Sequence, residues 1–450
     1  MARHPGVRLA LLLLLLGGVV ALSPRSRAQP ALAGVVPGCT IGPLTRCSDA
    51  APDPAGAAGL PQPPPGFTTW LADEMRAWNI AGVSLAVFTD YQLTWAAGFG
   101  ARDTGSGAPV TPATGFQAAS VSKPIAALAA LMAFDDHGHS LDADLSQLLP
   151  SLPSGRGTGA WELVDPYPTA VTLRLLLSHL GGTSDFRYSG YRAGIDPLPT
   201  LPQELSGTPP TNTPPVAVIR EPGVHWVYSP AGFTIVQAVL EDLEDQPFAA
   251  IMERRILGPL GMTHSTFEQP PPPSVAAAMA VPYLPDGAPL ADGPRIFPAA
   301  AAGGLTTTAS DLAQFMLGVQ RALTGAGGGP IAPANAQAML VRQPGVTLPD
   351  QCFPTADPAR AACQSSSGLG FDVNLDRNLN HVADGEPTGA WFGHTGFNSG
   401  YLSVVLGSKT GGNGLAVLVN TAPEDMSGEV PQFPFLQDVV RRVADDHGWR

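Results

Sequence analysis

Alternating apolar runs stand at the two ends of this chain, and helical patterns lie between them. Near the start, "GVSLAVFTD" and "QLTWAAGFG" (residues 82–100) are divided by a short turn and read as a hairpin. Near the C-terminus, "GYLSVVLGS" and "NGLAVLVNT" (400–421) form a second hairpin around a Gly-rich turn. Each pair has a helical pattern beside it, "FTTWLADEMRAWNI" before the first and "FLQDVVRRVADDHG" after the second. Two hairpins so far apart in sequence are best satisfied in one sheet, covered by the helices between them. The expected class is therefore α+β, an α/β sandwich. Its antiparallel sheet is built from N- and C-terminal strands flanked by helices, with a mostly helical inserted subdomain.

The chain has 450 residues, enough for a well-buried core. Its N-terminus reads as an export signal: Arg3 and Arg8 precede the apolar run Leu9 to Leu22, and Ser26–Ala28 offers small residues for cleavage. An uncleaved anchor is the alternative, because Arg25 and Arg27 flank the far side of the run. Residues 29–65 are rich in Pro, Ala and Gly and read as an arm or linker carrying a cysteine pair. The expected division is a signal peptide at 1–28, this arm at 29–65, and one domain at 66–450. No stable membrane span is expected after signal cleavage, and the protein is placed outside the cytoplasm, in the periplasm or beyond.

Loss of residues 1–28 removes four arginines and no acid, which takes the net charge from −13 to −17. Such a chain is a poor nucleic-acid binder. The four cysteines fall into close pairs, Cys39 with Cys47 and Cys352 with Cys363, and in an exported chain local disulfides are expected. No C-x-x-C supports a zinc ribbon. His137-Gly138-His139 closes a helix with no further ligand at a useful spacing, so it reads as a solvated turn, and no metal is expected.

The chemistry concentrates in "FQAASVSKPIAAL". Ser120-Val121-Ser122-Lys123 is an S-x-x-K, which places a hydroxyl and an amine on one face of a helix start. Serine needs a base, and a helix N-terminus disfavours the ammonium form of lysine. Pro124 fits the first turn, where a missing N–H matters least. There is no G-x-S-x-G and no H-E-x-x-H to compete.

From about Phe67 onward the chain resembles the serine β-lactamase-like superfamily. Its members include class C β-lactamases, DD-carboxypeptidases, D-aminopeptidases and one family of bacterial carboxylesterases. The resemblance rests on the S-x-x-K segment, "VTLRLLLSHLGG", "EPGVHWVYSPAGFTIVQAVLEDL", "ILGPLGMTHSTF", "AAAAGGLTTTASDLAQF" and "FGHTGFNSGY". It implies a β-lactamase/transpeptidase-like fold with Ser120 as the acylated nucleophile and Lys123 as its activator. Tyr228 would be the proton shuttle of a Y-x-N box, and His394-Thr395-Gly396 a third box in which many members have Lys first. Thr395 and Gly396 would contact substrate, and the backbone N–H groups of Ser120 and Phe397 would form the oxyanion hole. His179 matches a histidine common in the superfamily and reads as structural.

A second triplet, Lys409-Thr410-Gly411, matches the K-T-G form of the third box literally. It sits in "SKTGGNG" between two strands, so it is expected at a solvent-exposed hairpin tip. His394-Thr395-Gly396 leads into the strand and is preferred, lining the cleft that faces Ser120 and Tyr228. If His394 helps as a cation, its titration belongs near pH ~6.5. Pro230 stands where Y-x-N has Asn, which removes the amide that orients acylamide substrates.

These residues point to an exported serine hydrolase working through an acyl-enzyme, with no cofactor, on a small ester, amide or peptide. Esterase action on small acyl substrates is the leading reading. The alternatives are a β-lactamase, a D-alanyl-D-alanine carboxypeptidase or a D-aminopeptidase. From another class comes a catalytically weak binder of peptidoglycan-like or small acylated ligands. Oligomeric state is not legible in the sequence.

Overall fold

The structure is a computed structural model. It describes residues 60–450 apart from 196, 326–328, 344–345, 348–366, 382–388 and 426–429. The leader, most of the arm and all four cysteines therefore lie outside the described residues.

Helix α1 (Phe67–Ala77) leads into the hairpin β1 (Gly82–Thr89) and β2 (Gln92–Asp103), followed by the short β3 (Ala108–Pro109). The C-terminal part supplies β4 (Asp372–Leu375), β5 (Trp391–Asn398), β6 (Tyr401–Ser408) and β7 (Gly414–Val419), then helix α7 (Phe433–Asp446). Between them run α2 (Ser122–Asp136), α3 (Leu173–Leu177), α4 (Pro230–Glu244), α5 (Ala300–Gly303) and α6 (Ala309–Leu323), among shorter pieces. The seven strands form one antiparallel sheet in the order β3-β2-β1-β7-β6-β5-β4. The first and last hairpins meet at its centre through β1 and β7, with Leu85 opposite Val417. The sheet is thus assembled from both chain ends as expected. It is also wider, because β5 and β4 extend it beyond the two hairpins read from the sequence.

Both faces of this sheet are covered, which explains why its central strands are apolar on both sides. Val83, Leu85, Val87, Leu402, Val404 and Val417 pack against α1 and α7. On the other face Ala86, Phe392, Val405 and Leu418 pack against the middle helices. α2 is buried along nearly all of its length and closes at Gly138, whose φ of 71° is the left-handed conformation that glycine adopts freely. That burial fixes α2 against the sheet and sets the position of its N-terminus. Among the described residues no helix is long and apolar enough to cross a membrane.

Candidate active site

The start of α2 is where sequence becomes geometry. Ser120 lies in a 3₁₀ turn, Ala119–Val121, that runs directly into α2, and Lys123 is the second residue of the helix. The turn is strained: Ala119 has φ 50°, a left-handed value for a residue with a Cβ, at a cost of order 1–3 kcal/mol. The surroundings hold it there. Ser403 Oγ donates to the Ala118 carbonyl at 2.6 Å, and Ser122 Oγ donates to the Ala119 carbonyl at 2.6 Å. The Leu305 amide donates to Ser122 Oγ at 3.0 Å.

Lys123 is fully buried, with Nζ 3.0 Å from Ser120 Oγ and donating to the Ala302 carbonyl at 2.6 Å. Burial first, and the nearby Arg187 charge second, hold its pKa well below the usual lysine value. A neutral amine at this distance can accept the Ser120 proton.

Tyr228 approaches from the other side and donates its O–H to Ser120 Oγ at 2.8 Å. Its place is set by the start of α4. Ser229 is the N-cap and accepts from the Gly232 amide at 3.0 Å, while its own Oγ donates to the Ser184 carbonyl at 2.6 Å. Pro230, the departure from Y-x-N, occupies the first helical turn, where its fixed φ suits the helix. The His179 ring lies 4.5 Å from the Tyr228 ring and accepts the Ser229 amide on Nδ1 at 3.1 Å. Burial keeps His179 neutral, its pKa well below the ordinary value, so that Nδ1 stays an acceptor. Burial likewise pushes the Tyr228 phenol up, opposed by its bond to Ser120 and by the charge of Arg187.

His394-Thr395-Gly396 sits inside β5, not ahead of the strand, and pairs with Ser403–Val405 of β6. Gly396 faces the nucleophile's turn, where a Cβ would collide with Ser403 Oγ and the Ala118 carbonyl. The cleft over Ser120 is lined by the residues that follow the triplet, Phe397, Asn398 and Ser399. Strand alternation puts His394 and Gly396 on the same face of β5 as Asn398, and His394 is buried there with 6.3 Å between its ring centroid and that of Tyr228. The expectation of a cationic His394 fails. Burial first, then the neighbouring Lys123, push its pKa down to about 3. Its Nδ1–H donates to the Thr395 carbonyl at 2.6 Å, and the ring is neutral near pH 7.

The literal triplet also needs correcting. Lys409-Thr410-Gly411 does lie in the β6–β7 turn, away from Ser120. Lys409 is half-buried, however, and donates from Nζ to Asn374 Oδ1 at 3.1 Å.

The cleft over Ser120 holds about 620 Å³ of space, counting the open solvent at its mouth. Pro230, Phe297, Ala299, Ala302 and Phe397 give it apolar walls, and Arg187 and Glu424 stand at its charged edges. Among the described residues no group of three or more His, Cys, Asp or Glu could hold a metal ion.

A family model described as beta-lactamase matches residues 67–432. The chain belongs to the beta-lactamase family. Among curated proteins it is similar to a lovastatin esterase of Penicillium rubens, 33% identical over 162 residues, which is 33% of this chain and 38% of that protein. It is also similar to the esterase EstB of Burkholderia gladioli, 29% identical over 228 residues, 48% of this chain and 53% of that one. The chain therefore spans about half or less of the length of these relatives. Among solved structures it resembles an octameric penicillin-binding protein homologue from Pyrococcus abyssi, with a TM-score of 0.62 and 21% identity. That match covers 84% of this chain and 76% of the other. This likeness speaks for the fold, a seven-stranded antiparallel sheet with helices on both faces.

Several residues around the beta-lactamase-family motifs had no signal in the sequence. The Ala302 carbonyl that receives Lys123 lies in an alanine run that carries no polar mark. Arg187 lies 5.7 Å above the Tyr228 ring from a loop of no recognisable pattern. Asp372, at the start of β4, is pushed up to about 7 by burial and its charge reaches Tyr228. Only the fold brings these three to Lys123 and Tyr228.

Proposed function

We propose that this chain is a serine hydrolase that acts through an acyl-enzyme on Ser120, with esterase-type action on small acyl substrates. One observation carries the reading: a single hydroxyl, Ser120 Oγ, lies within hydrogen-bond distance of both a buried, neutral-tending amine at 3.0 Å and a phenol at 2.8 Å. With Tyr228 donating to Oγ, the Ser120 proton is left to point at Lys123. Oγ attacks the ester carbonyl while that proton passes to Nζ. Collapse expels the alkoxide, which takes a proton through Tyr228. Water then attacks the acyl-enzyme, releasing the acid and restoring Ser120. The Ser120 and Phe397 backbone N–H groups are proposed as the oxyanion donors.

The ester preference rests on three features. Pro230 offers no amide to orient an acylamide. His394 is a neutral ring where a third-box cation would stand. Two of the similar curated proteins are themselves named esterases. His394 is proposed to act by packing behind Tyr228 rather than by binding substrate. Export, cleavage after residue 28, the arm at 29–65 and local disulfides Cys39–Cys47 and Cys352–Cys363 belong to the same proposal. Peptide mapping without reductant tests the pairs, and four free thiols in exported protein would refute them.

The deciding experiment treats wild type and Ser120→Ala with a serine-directed acylating probe and reads intact mass. Parallel assays use a short-chain aryl ester, a chromogenic cephalosporin and D-amino acid peptides. Labelling of wild type alone, with release and ester turnover, is expected. Equal labelling of both proteins overturns Ser120. A stable adduct without turnover points to the binder. Faster cleavage of cephalosporin or peptide replaces the esterase reading with one of its relatives.

A further inference from the structure

A phenol that gives and takes protons beside a developing oxyanion needs a positive charge nearby. Three cationic side chains fail to supply it. Lys123 cannot serve as the fixed cation while it acts as neutral base. His394 is neutral near pH 7. Lys409 is held at Asn374 in the β6–β7 turn. Among the described residues lining the cleft, the remaining cationic side chain is Arg187. Its guanidinium carbon lies 5.7 Å from the centroid of the Tyr228 ring, within cation–π range, and arginine stays charged at any working pH.

The segment carrying Arg187 is anchored on both sides. The Ser184 amide donates to the Ala217 carbonyl at 2.9 Å, Tyr188 OH and Thr234 Oγ1 are 2.6 Å apart, and the Tyr191 amide donates to the Ile296 carbonyl at 2.8 Å. Arg187 itself is exposed at the cleft edge, so water screens part of its charge. The same charge acts on Lys123 in the sense that favours the neutral amine.

We infer that Arg187 is the fixed cation of this site, a positioning residue that acts through Tyr228 in the electrostatic place a third-box lysine would otherwise fill. The inference rests on the acyl-enzyme reading above. It also explains why a neutral histidine is tolerated in the third box: the positive charge comes from the loop that carries Arg187 and not from β5.

Other charged or titratable groups share this surrounding and enter the test. His179 follows α3, His394 lies on β5, Asp372 on β4, and Glu424 and Asp425 line the cleft beyond β7. Burial keeps the two histidines neutral near pH 7, whereas Asp372, raised to about 7, titrates within the assay range. Profiles are therefore recorded with and without Asp372→Asn.

The experiment measures hydrolysis of an uncharged short-chain aryl ester by wild type, Arg187→Gln and Arg187→Lys across pH, with thermal melts to verify folding. Arg187→Gln is expected to lower kcat about tenfold, with KM changed less than about twofold. Its acid limb of kcat/KM moves to higher pH in both Asp372 backgrounds, because Lys123 loses a neighbour that disfavours its ammonium form. Arg187→Lys restores most of the activity. An unchanged kcat and acid limb in Arg187→Gln overturns the inference, as does a loss of kcat that Lys fails to restore while the limb stays in place. Mass labelling of Ser120 in wild type separates the two levels. If wild type does not label, the acyl-enzyme reading falls; if it labels and Arg187→Gln behaves as wild type, only the role of Arg187 falls.

Discussion

His394-Thr395-Gly396 and Lys409-Thr410-Gly411 differ by one letter and sit on either side of β6, yet their surroundings share almost nothing. The first lies within β5, paired to β6, with Gly396 pressed against the turn that holds Ser120. The second lies in the turn after β6, where Gly411 has φ 83° and only Asn413 Nδ2 near its would-be Cβ, at 3.4 Å. The two glycines are needed for opposite reasons: Gly396 because there is no room, Gly411 because of its backbone angle. A motif's letters therefore matter less than the face and strand that present them.

The largest expected effect tests which triplet borders the chemistry at all. Lys123→Ala should cut ester turnover by about 10²–10⁴-fold, the usual worth of a positioned base. A near-normal rate would detach the nucleophile's turn from the first triplet. Next come the glycines. Gly396→Ala should abolish most activity and lower Tm, because the Ala118–Ala119 backbone has nowhere to go. Gly411→Ala should cost about 1–2 kcal/mol of stability through its left-handed φ and leave kcat unchanged. Equal activity losses in the two variants would erase the distinction drawn here.

The first residues of the triplets give a smaller contrast. His394→Ala should lower kcat/KM by loosening the packing behind Tyr228. Lys409→Ala should leave catalysis intact and cost less than about 1 kcal/mol, the usual value of one partly exposed contact. A dead Lys409→Ala beside an active His394→Ala would reverse the assignment.

A further effect, on stability and not on catalysis, concerns pH. The folded pKa of His394, about 3, lies below its unfolded value. The unfolded chain thus takes up the proton first, and stability is lost as pH falls below about 6.5. Between pH 7 and pH 5 His394→Gln should lose about 2 kcal/mol less than wild type. Chemical denaturation at both pH values reads this directly, and identical losses would mean that the ring is not held neutral.

The architecture was legible because strand periodicity and helical periodicity are local properties. The hairpins at residues 82–100 and 400–421, the helices beside them and the buried α2 follow from apolar spacing alone. The S-x-x-K pair was legible for the same reason, since three residues along a helix start fix two side chains on one face. β5 and β4 were not read as strands: each is short or interrupted by glycine, and each is held by pairing with its neighbour rather than by its own pattern. His394 looked like a titrating cation because its reference pKa is a property of the residue, while its actual pKa is a property of the burial around it.

What the chain determined by itself is the list of chemical groups and their local spacing: a serine three residues before a lysine, a tyrosine two residues before a proline-started helix, and a triplet ahead of an apolar strand. Tertiary structure alone decided that Tyr228 reaches Ser120 from 108 residues away, that the Ala302 carbonyl receives Lys123, and that the Arg187 guanidinium lies 5.7 Å from the Tyr228 ring. The physical reason is that hydrogen bonds and charge–charge effects act over a few ångströms, and distances of that size between remote residues exist only after the sheet has closed from both ends of the chain.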